Sequence, residues 1–500
     1  MSIQTRKFFA AAAHVAASLV AALTFGAGTQ ARADYVATPN PSSNFGTWQG
    51  WGCSLAWWAN AFGDRNDLAD AVFTTNASVT LSTQAGTYAV PGLGMNVVRY
   101  NIGGYGTRPV GTTVPVYPAT STLPDFRRIP GYWLDWYSTD PSSSSFDWYT
   151  DSLQRTMMWK AKDRGANVFE AFSNSPMWWM NHNKSSAGSN GGGDNLQSWN
   201  YGDFARYLAT VVKFAKDQWG VNFTTVEPFN EPAESWWTYP KNQEGCHFDN
   251  ATQRQVLAQL RAELNNRGLQ SVGIAASDEN SPDKALSTWN AFDTATKGLV
   301  NQINVHGYSG LEPYRGPNRG PLYSATSGKR RWVSEYGDGY DSGMPMADSI
   351  VRDLWEYHPS AWVYWQPFDS GGWGLIQSNP GDNWIGPPNA KWHVMAQFSR
   401  HIRPGMTLLG GNDRNTVFAY DATSRKLVVV TVNFGTAQWI DYDLSRFGTV
   451  SGPITRWATV TASGGDRYAR YNDTNLSGKR FWSWFPANTV QTFEVQGISP

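Results

Sequence analysis

The chain has 500 residues, 41% of them hydrophobic, with 40 basic against 40 acidic side chains. That is enough apolar material for one large domain and a smaller one. The balanced charge and the lack of any basic tract argue against nucleic acid as a partner and give no support to a polyanionic one.

Residues 1–33 read as a secretory signal peptide. "MSIQTRK" is a basic leader, "FFAAAAHVAASLVAALTFG" is an apolar stretch, and "ARA" ends at Ala33 as a small-residue cleavage site. Losing Arg6, Lys7 and Arg32 with this segment leaves 37 basic residues against 40 acidic, a net charge of −3. The apolar run is diluted with alanine, and no second run of spanning length follows. The expected product is secreted and extracellular, with no membrane contact.

Eight β-rich runs then close on polar or aromatic residues. They are "WQGWGCSLAWW" (48–58), "MNVVRYNIGG" (95–104), "ANVFEAFSNSPMWW" (166–179), "FTTVEPFNEP" (223–232), "SVGIAASDEN" (271–280), "QINVHGY" (302–308), "RRWVSEYG" (330–337) and "AWVYWQPFD" (361–369). Near-continuous Val, Ile and Phe in their interiors suits buried parallel strands. Helical patterns lie between several of them. "DFARYLATVVKFAKDQWG" is expected to start on Asp203 and stop at Gly220. "TQRQVLAQLRAELNNRG" places Thr252 and Gln255 in capping-box spacing. The Gly- and Ser-rich stretch 185–195 reads as a mobile loop.

Eight strands alternating with helices predict an α/β fold, a (β/α)8 TIM barrel over residues 34–402. After "RHIRPG" the pattern becomes short alternating runs: "TVFAYD", "KLVVVTVNF", "QWIDYDL", "ITRWATVTA" and "TVQTFEV". These predict an appended antiparallel, sandwich-like β-domain over 403–500. The early segment "YVATPN" is expected to pair with it.

In such a barrel, chemistry sits at the C-terminal ends of the strands. Those ends carry Arg99, Asn174, Asn230, Glu231, Asp278, Glu279, His306, Tyr308, Glu335, Gln366 and Asp369. Many of the 26 tryptophans lie at the same rim. Two carboxylates facing across an aromatic pocket suit glycosidic-bond cleavage, in which one protonates the leaving oxygen and the other attacks the anomeric carbon. The histidines are scattered, with no H-E-x-x-H, so neither a metal nor a cofactor is expected.

"TTVEPFNEP" holds two glutamates that alternation would place on one face. Four residues span roughly 13 Å, so Glu227 is expected deeper in the barrel and Glu231 at its mouth. Pro228 suggests a bulge between them. Adjacent tryptophans in a strand point oppositely, so one of each Trp-Trp pair is expected to serve the shell.

The motifs "GWGCSLAWW", "FSNSPMWWM", "VEPFNEP", "INVHGY", "WVSEYGD" and "AWVYWQ" together resemble glycoside hydrolase family 30 from about residue 40 onward. "DNLQSWNY", "SWW", "QEGCHFD" and "SDEN" are similar to its endo-β-1,6-galactanase branch. The resemblance implies a retaining hydrolase with Glu231 as acid/base and Glu335 as nucleophile. By their positions at or just beyond the strand ends, Asn230, Arg99, Trp57, Trp178, His306, Tyr308, Trp365 and Trp236 are expected at the substrate site, with Arg99 a candidate to hold Glu335 ionised. Trp365 would be the floor under the sugar, Trp57 and Trp178 the walls, and Tyr308 a donor to Glu335. The implied partner is β-1,6-galactan or arabinogalactan, cleaved by a monomeric enzyme.

Activity on β-1,6-glucan or xylan, or exo-type release of galactobiose, stays open beside that reading. A noncatalytic sugar-binding protein is a more distant alternative. Cys53 and Cys246 fit either a disulfide or two buried thiols. The loop 101–121 matches no familiar pattern and is expected to govern chain-length preference.

Overall fold

A computed structural model describes residues 34–119, 122–308 and 318–500, so the signal-peptide segment 1–33 lies outside the described residues. Each of the eight β-rich runs contains a strand. These are β1 (Gly50–Ser54), β2 (Val97–Asn101), β3 (Val168–Phe172), β4 (Thr225–Glu227), β5 (Gly273–Glu279), β6 (Gln302–His306), β7 (Arg330–Tyr336) and β8 (Ala361–Tyr364). They close into a parallel barrel in sequence order, with β8 returning to pair β1 from Ala361↔Gly50 to Tyr364↔Cys53. Every residue of β1, β2, β3, β6 and β8 is buried. Outward side chains meet helices and inward ones fill the barrel, which is why these strands have no solvent-exposed face.

The helix Tyr201–Phe214 buries Phe204, Leu208 and Val211 and runs on through one wider turn to Trp219, where Gly220 takes φ +65°. Asp203 is not its cap. A short 3-10 turn, Ser198–Asn200, feeds the helix, and Asp203 lies in the first turn paired with Arg206. The capping-box expectation at Thr252 also fails, because the helix already begins at Asn250. Asp194, from a neighbouring loop, supplies the acceptor there, taking the Asp249 N–H and the Thr252 hydroxyl.

Residues 185–195 are not a free loop. Ser185, Ser186, Ala187 and Asn195 are buried. The Asn195 amide donates to Asn183 Oδ1 and to the Ser185 carbonyl. Cys53 and Cys246 are buried free thiols.

Beyond the barrel, all five alternating runs are strands. A seven-stranded sheet runs Pro39–Thr47, Thr407–Gly411, Thr416–Asp421, Lys426–Asn433, Thr489–Val495, Ile454–Val460, Ala469–Tyr471. A three-stranded sheet runs Tyr35–Ala37, Gln438–Asp443, Arg480–Phe485. The early segment joins both, Tyr35–Ala37 parallel to Gln438–Asp443 and Pro39–Thr47 antiparallel to Thr407–Gly411. Phe418, Val429, Ile440, Phe481, Phe485 and Phe493 form the core between the sheets. Among the described residues, no helix is long and apolar enough to cross a membrane.

Candidate active site

The barrel interior is apolar at its base, where Val97, Val168, Trp332, Ala361 and Val363 meet. A polar layer follows. Arg99 of β2 donates from Nε to Glu170 Oε1 (3.1 Å), from Nη2 to Asp278 Oδ2 (2.6 Å), and from Nη1 to the Ser334 carbonyl (3.0 Å). Glu170 also accepts from Thr225, Gln302 and Asn304. Arg99, Glu170 and Asp278 are wholly buried, so the cation is the charge that holds two buried carboxylates in place. It holds Asp278 well below the usual carboxylate range against the opposing cost of burial.

Removing one partner of such a network leaves charge without compensation, at a cost of about 3–5 kcal/mol. Arg99→Met is therefore expected to lower the urea midpoint of unfolding by a corresponding amount. A midpoint within error of the parent would contradict this account of the layer.

Glu227 ends β4 in the same region. Its Oε1 accepts the Phe229 N–H (3.2 Å), and its Oε2 has no partner among the described residues. Burial, with Asp278 and Glu170 nearby, pushes this carboxyl well above its ordinary range. The chain then leaves strand geometry through Pro228 and reaches Glu231 with φ +49°. A left-handed non-glycine backbone costs on the order of 1 kcal/mol or more. It is held here by the Glu231 N–H to the Asp278 carbonyl (2.8 Å) and by Trp237 Nε1 donating to the Glu231 carbonyl (3.0 Å). Glu279 fixes the next turn by accepting the Ala233 N–H (3.1 Å).

Glu231 and Glu335 meet at the mouth, where a carboxylate oxygen of each lies within 4.8 Å of the other. Asn280 donates to Glu231 Oε1 (2.8 Å), and Tyr308 donates its hydroxyl to Glu335 Oε1 (2.9 Å). His306 lies beneath the pair. Its Nδ1 is 3.2 Å from Glu231 Oε1 and 3.5 Å from Glu335 Oε1, and its Nε2 is 3.1 Å from Asp278 Oδ2. The last is an ion-pair contact without hydrogen-bond alignment. Burial alone would lower the imidazole, yet Glu335 and Asp278 raise it well above its ordinary range.

For Glu335 the balance falls the other way. Burial dominates and pushes its carboxyl up to about 7, against the pull of His306 and Arg99 and with the help of Glu231. The three groups facing it (Tyr308 O–H, Arg99 and His306) all favour its anion.

The pocket above the pair holds about 440 Å³ and is lined by Trp57, Asn230, Glu231, Trp236, Tyr308, Glu335 and Trp365, with Asn174 and Asp369. Trp57 and Trp365 meet edge to face, centroids 5.0 Å apart at 88°. Asn230 Oδ1 and Trp57 Nε1 are buried without a partner among the described residues. Arg99 and His306 do not line this space; they support it from below.

Trp178 is a correction. It lies on a 3-10 turn, Trp178–Met180, not in a strand, and is fully buried among core residues away from the pocket wall. One indole of Trp57/Trp58 and of Trp236/Trp237 lines the pocket while its neighbour is buried away from it, whereas neither Trp178 nor Trp179 does; none of the three pairs lies in a strand, so strand alternation is not the cause.

Arg127, Gln243, Glu244, Asn280, Ser370 and Trp373 complete the lining. Asn280 follows directly on "SDE" and was within reach of strand-end reasoning. Arg127, 4.4 Å from the Trp57 ring centroid, comes from a Pro-bounded segment with no sequence signal. No described residue of the loop 101–119 lines the pocket.

Two groups of three ligand-type side chains come together among the described residues, Glu231–His306–Glu335 and Asp194–His247–Asp249. In the second, Asp194 is already engaged by the Asp249 N–H and the Thr252 hydroxyl.

A (β/α)8 barrel with two facing carboxyl groups between indole walls defines a glycoside hydrolase. The chain belongs to O-glycosyl hydrolase family 30, whose model matches residues 31–302. It is 48% identical over 477 residues to an endo-beta-1,6-galactanase of Hypocrea rufa, covering 94% of this chain and 96% of that one. It is 25% identical to an exo-beta-1,6-galactobiohydrolase of Bifidobacterium longum, covering 88% of this chain and 37% of that protein. Among solved structures, the catalytic domain of GH30 xylanase C from Talaromyces cellulolyticus superposes with a TM-score of 0.66 at 19% identity, over 92% of this chain and 100% of that one.

Proposed function

We propose that this protein is a retaining endo-β-1,6-galactanase that cleaves the β-1,6-galactan side chains of arabinogalactan. The observation that carries the substrate is the near full-length, 48% identity to an endo-beta-1,6-galactanase. The carboxyl pair carries the reaction. Retention needs groups about 5–5.5 Å apart, whereas inversion needs about 6.5–9.5 Å to admit a water. Oxygens within 4.8 Å favour the first.

Glu335 attacks the anomeric carbon while Glu231 protonates the departing oxygen. A covalent galactosyl-enzyme forms, and Glu231, now a base, activates the water that releases it. Tyr308, His306 and Arg99 favour the Glu335 anion, the form that attacks. Asn230, with its unpartnered Oδ1, is placed to meet the 2-hydroxyl as the oxocarbenium-like state develops. Trp365 and Trp57 supply the apolar walls for the sugar faces. Division into a catalytic barrel, 34–402, and a β-unit, 403–500, belongs to this reading, as do export and a monomeric state.

Product sizing on β-1,6-galactan, β-1,6-glucan and glucuronoxylan separates the alternatives. Early products of mixed length from galactan alone are expected. Galactobiose as the sole early product would mean exo action, and preferential release from either other polymer would overturn the substrate. Trp365→Ala is expected to raise KM roughly tenfold, or about 1.4 kcal/mol, with a smaller effect on kcat. An unchanged KM would remove Trp365 from the sugar-binding floor.

A further inference from the structure

A second cleft, of about 380 Å³, lies in the β-sheet region and is lined in part by Trp439, Arg456, Tyr471, Asp473, Trp482 and Trp484. On one side is the strand Arg480–Phe485, an edge of the three-stranded sheet. It alternates strictly, burying Phe481, Ser483 and Phe485 and exposing Arg480, Trp482 and Trp484. Trp484 faces Trp439 across the strand pair, ring centroids 5.5 Å apart. The three indoles are 37 to 47% exposed.

The other side comes from Ile454–Val460 and Ala469–Tyr471, the outermost strands of the larger sheet. Arg456 stands opposite Phe493, and Ala458 opposite Gln491, on the sheet's core-facing side. The smaller sheet leaves this end uncovered. Arg456 is held by a two-point pair with Asp473 (3.0 and 2.5 Å) and lies 4.2 Å from the Tyr471 ring centroid. Tyr471 donates to Asp466 Oδ2 (2.7 Å), and Gln491 Nε2 donates to the Trp484 carbonyl (2.8 Å).

Three part-exposed indoles beside prearranged polar groups are costly to leave in water unless something covers them. A hexopyranose has the matching character, an apolar C–H face for an indole and hydroxyls for fixed donors and acceptors. The charged lining is one arginine and two aspartates, which disfavours a polyanion. We propose that this cleft is a second carbohydrate-binding site, taking a stretch of the neutral galactan that the barrel cleaves. The inference rests on the galactanase reading for the identity of that polymer.

Affinity electrophoresis in debranched β-1,6-galactan tests it, with β-1,6-glucan and glucuronoxylan gels beside it. In a Glu335→Gln background, adding Trp482→Ala and Trp484→Ala is expected to weaken retardation by galactan roughly tenfold. The same two tryptophan changes in the active enzyme are expected to leave hydrolysis of a short β-1,6-galacto-oligosaccharide unchanged, which also shows that the fold is intact. Retardation equal to the parent would overturn the proposal. So would a concentration-dependent dimer, seen by sedimentation and lost in the variant, with retardation unaffected. Galactan retardation through these tryptophans in a protein that fails to cleave galactan would support the cleft while counting against the activity.

Discussion

Glu335→Gln is expected to abolish turnover while leaving a folded, substrate-binding protein. Removing a nucleophile that forms a covalent intermediate costs on the order of 10⁴- to 10⁶-fold in kcat. The amide keeps the shape of the carboxyl: its oxygen can accept from Arg99 Nη1, which meets Oε2, while its NH2 takes the Oε1 place and can donate to the Tyr308 oxygen. Burial pushes the native Glu335 up to about 7, above its value in an unfolded chain. The folded state therefore binds more protons than the unfolded state between the two values, and stability falls as pH rises through about 7. Glutamine carries no charge and escapes this loss. The variant is expected to melt at or above the parent temperature at pH 8, an active-site cost of function made visible. Full activity would remove Glu335 from the chemistry, and a large fall in melting temperature at pH 8 would contradict the burial argument.

Glu231→Ala separates the two halves of the reaction. Without the proton donor, cleavage of galactan, whose leaving alcohol is poor, is expected to fall by roughly 10² to 10⁴. An aryl galactoside with an acidic leaving phenol needs no protonation, so formation of its galactosyl-enzyme is expected to be nearly spared. Azide, which needs no general base, should then restore turnover and give a β-configured galactosyl azide. An α-configured azide would mean that azide displaces the aglycone directly, with no galactosyl-enzyme on Glu335, and equal losses on both substrates would remove Glu231 from the acid role.

The barrel was legible because burial on both faces leaves a direct mark, eight apolar runs each ended by turn or polar residues. The distinction between Glu227 and Glu231 was legible from their positions along the run, although the strand itself ends at Glu227 and Glu231 lies beyond it with φ +49°. Glu227 is the last residue of β4 and fully buried, while Glu231 lines the pocket. The layer beneath the site was only partly readable. Arg99 announced itself as a cation in an apolar strand, but its partners Glu170 and Asp278 come from strands 71 and 179 residues away. No local pattern encodes such pairings. Trp178 misled because two adjacent tryptophans after β3 look like a strand end, whereas the backbone there turns. Arg127 was invisible because a surface-type arginine in a Pro-bounded connection becomes a pocket residue only once the connection folds over Trp57. In the side sheets, the strand Arg480–Phe485 went unmarked although its alternation is strict, since tryptophan occupied the positions where alternation puts polar residues.

The central claim joins substrate to stereochemistry, and proton NMR of the first minutes of hydrolysis of debranched β-1,6-galactan tests both at once. The β-anomer of newly formed galacto-oligosaccharides should appear first, with the α-anomer following only at the rate of mutarotation. An initial α-anomer, or no galacto-oligosaccharide at all, would contradict the account.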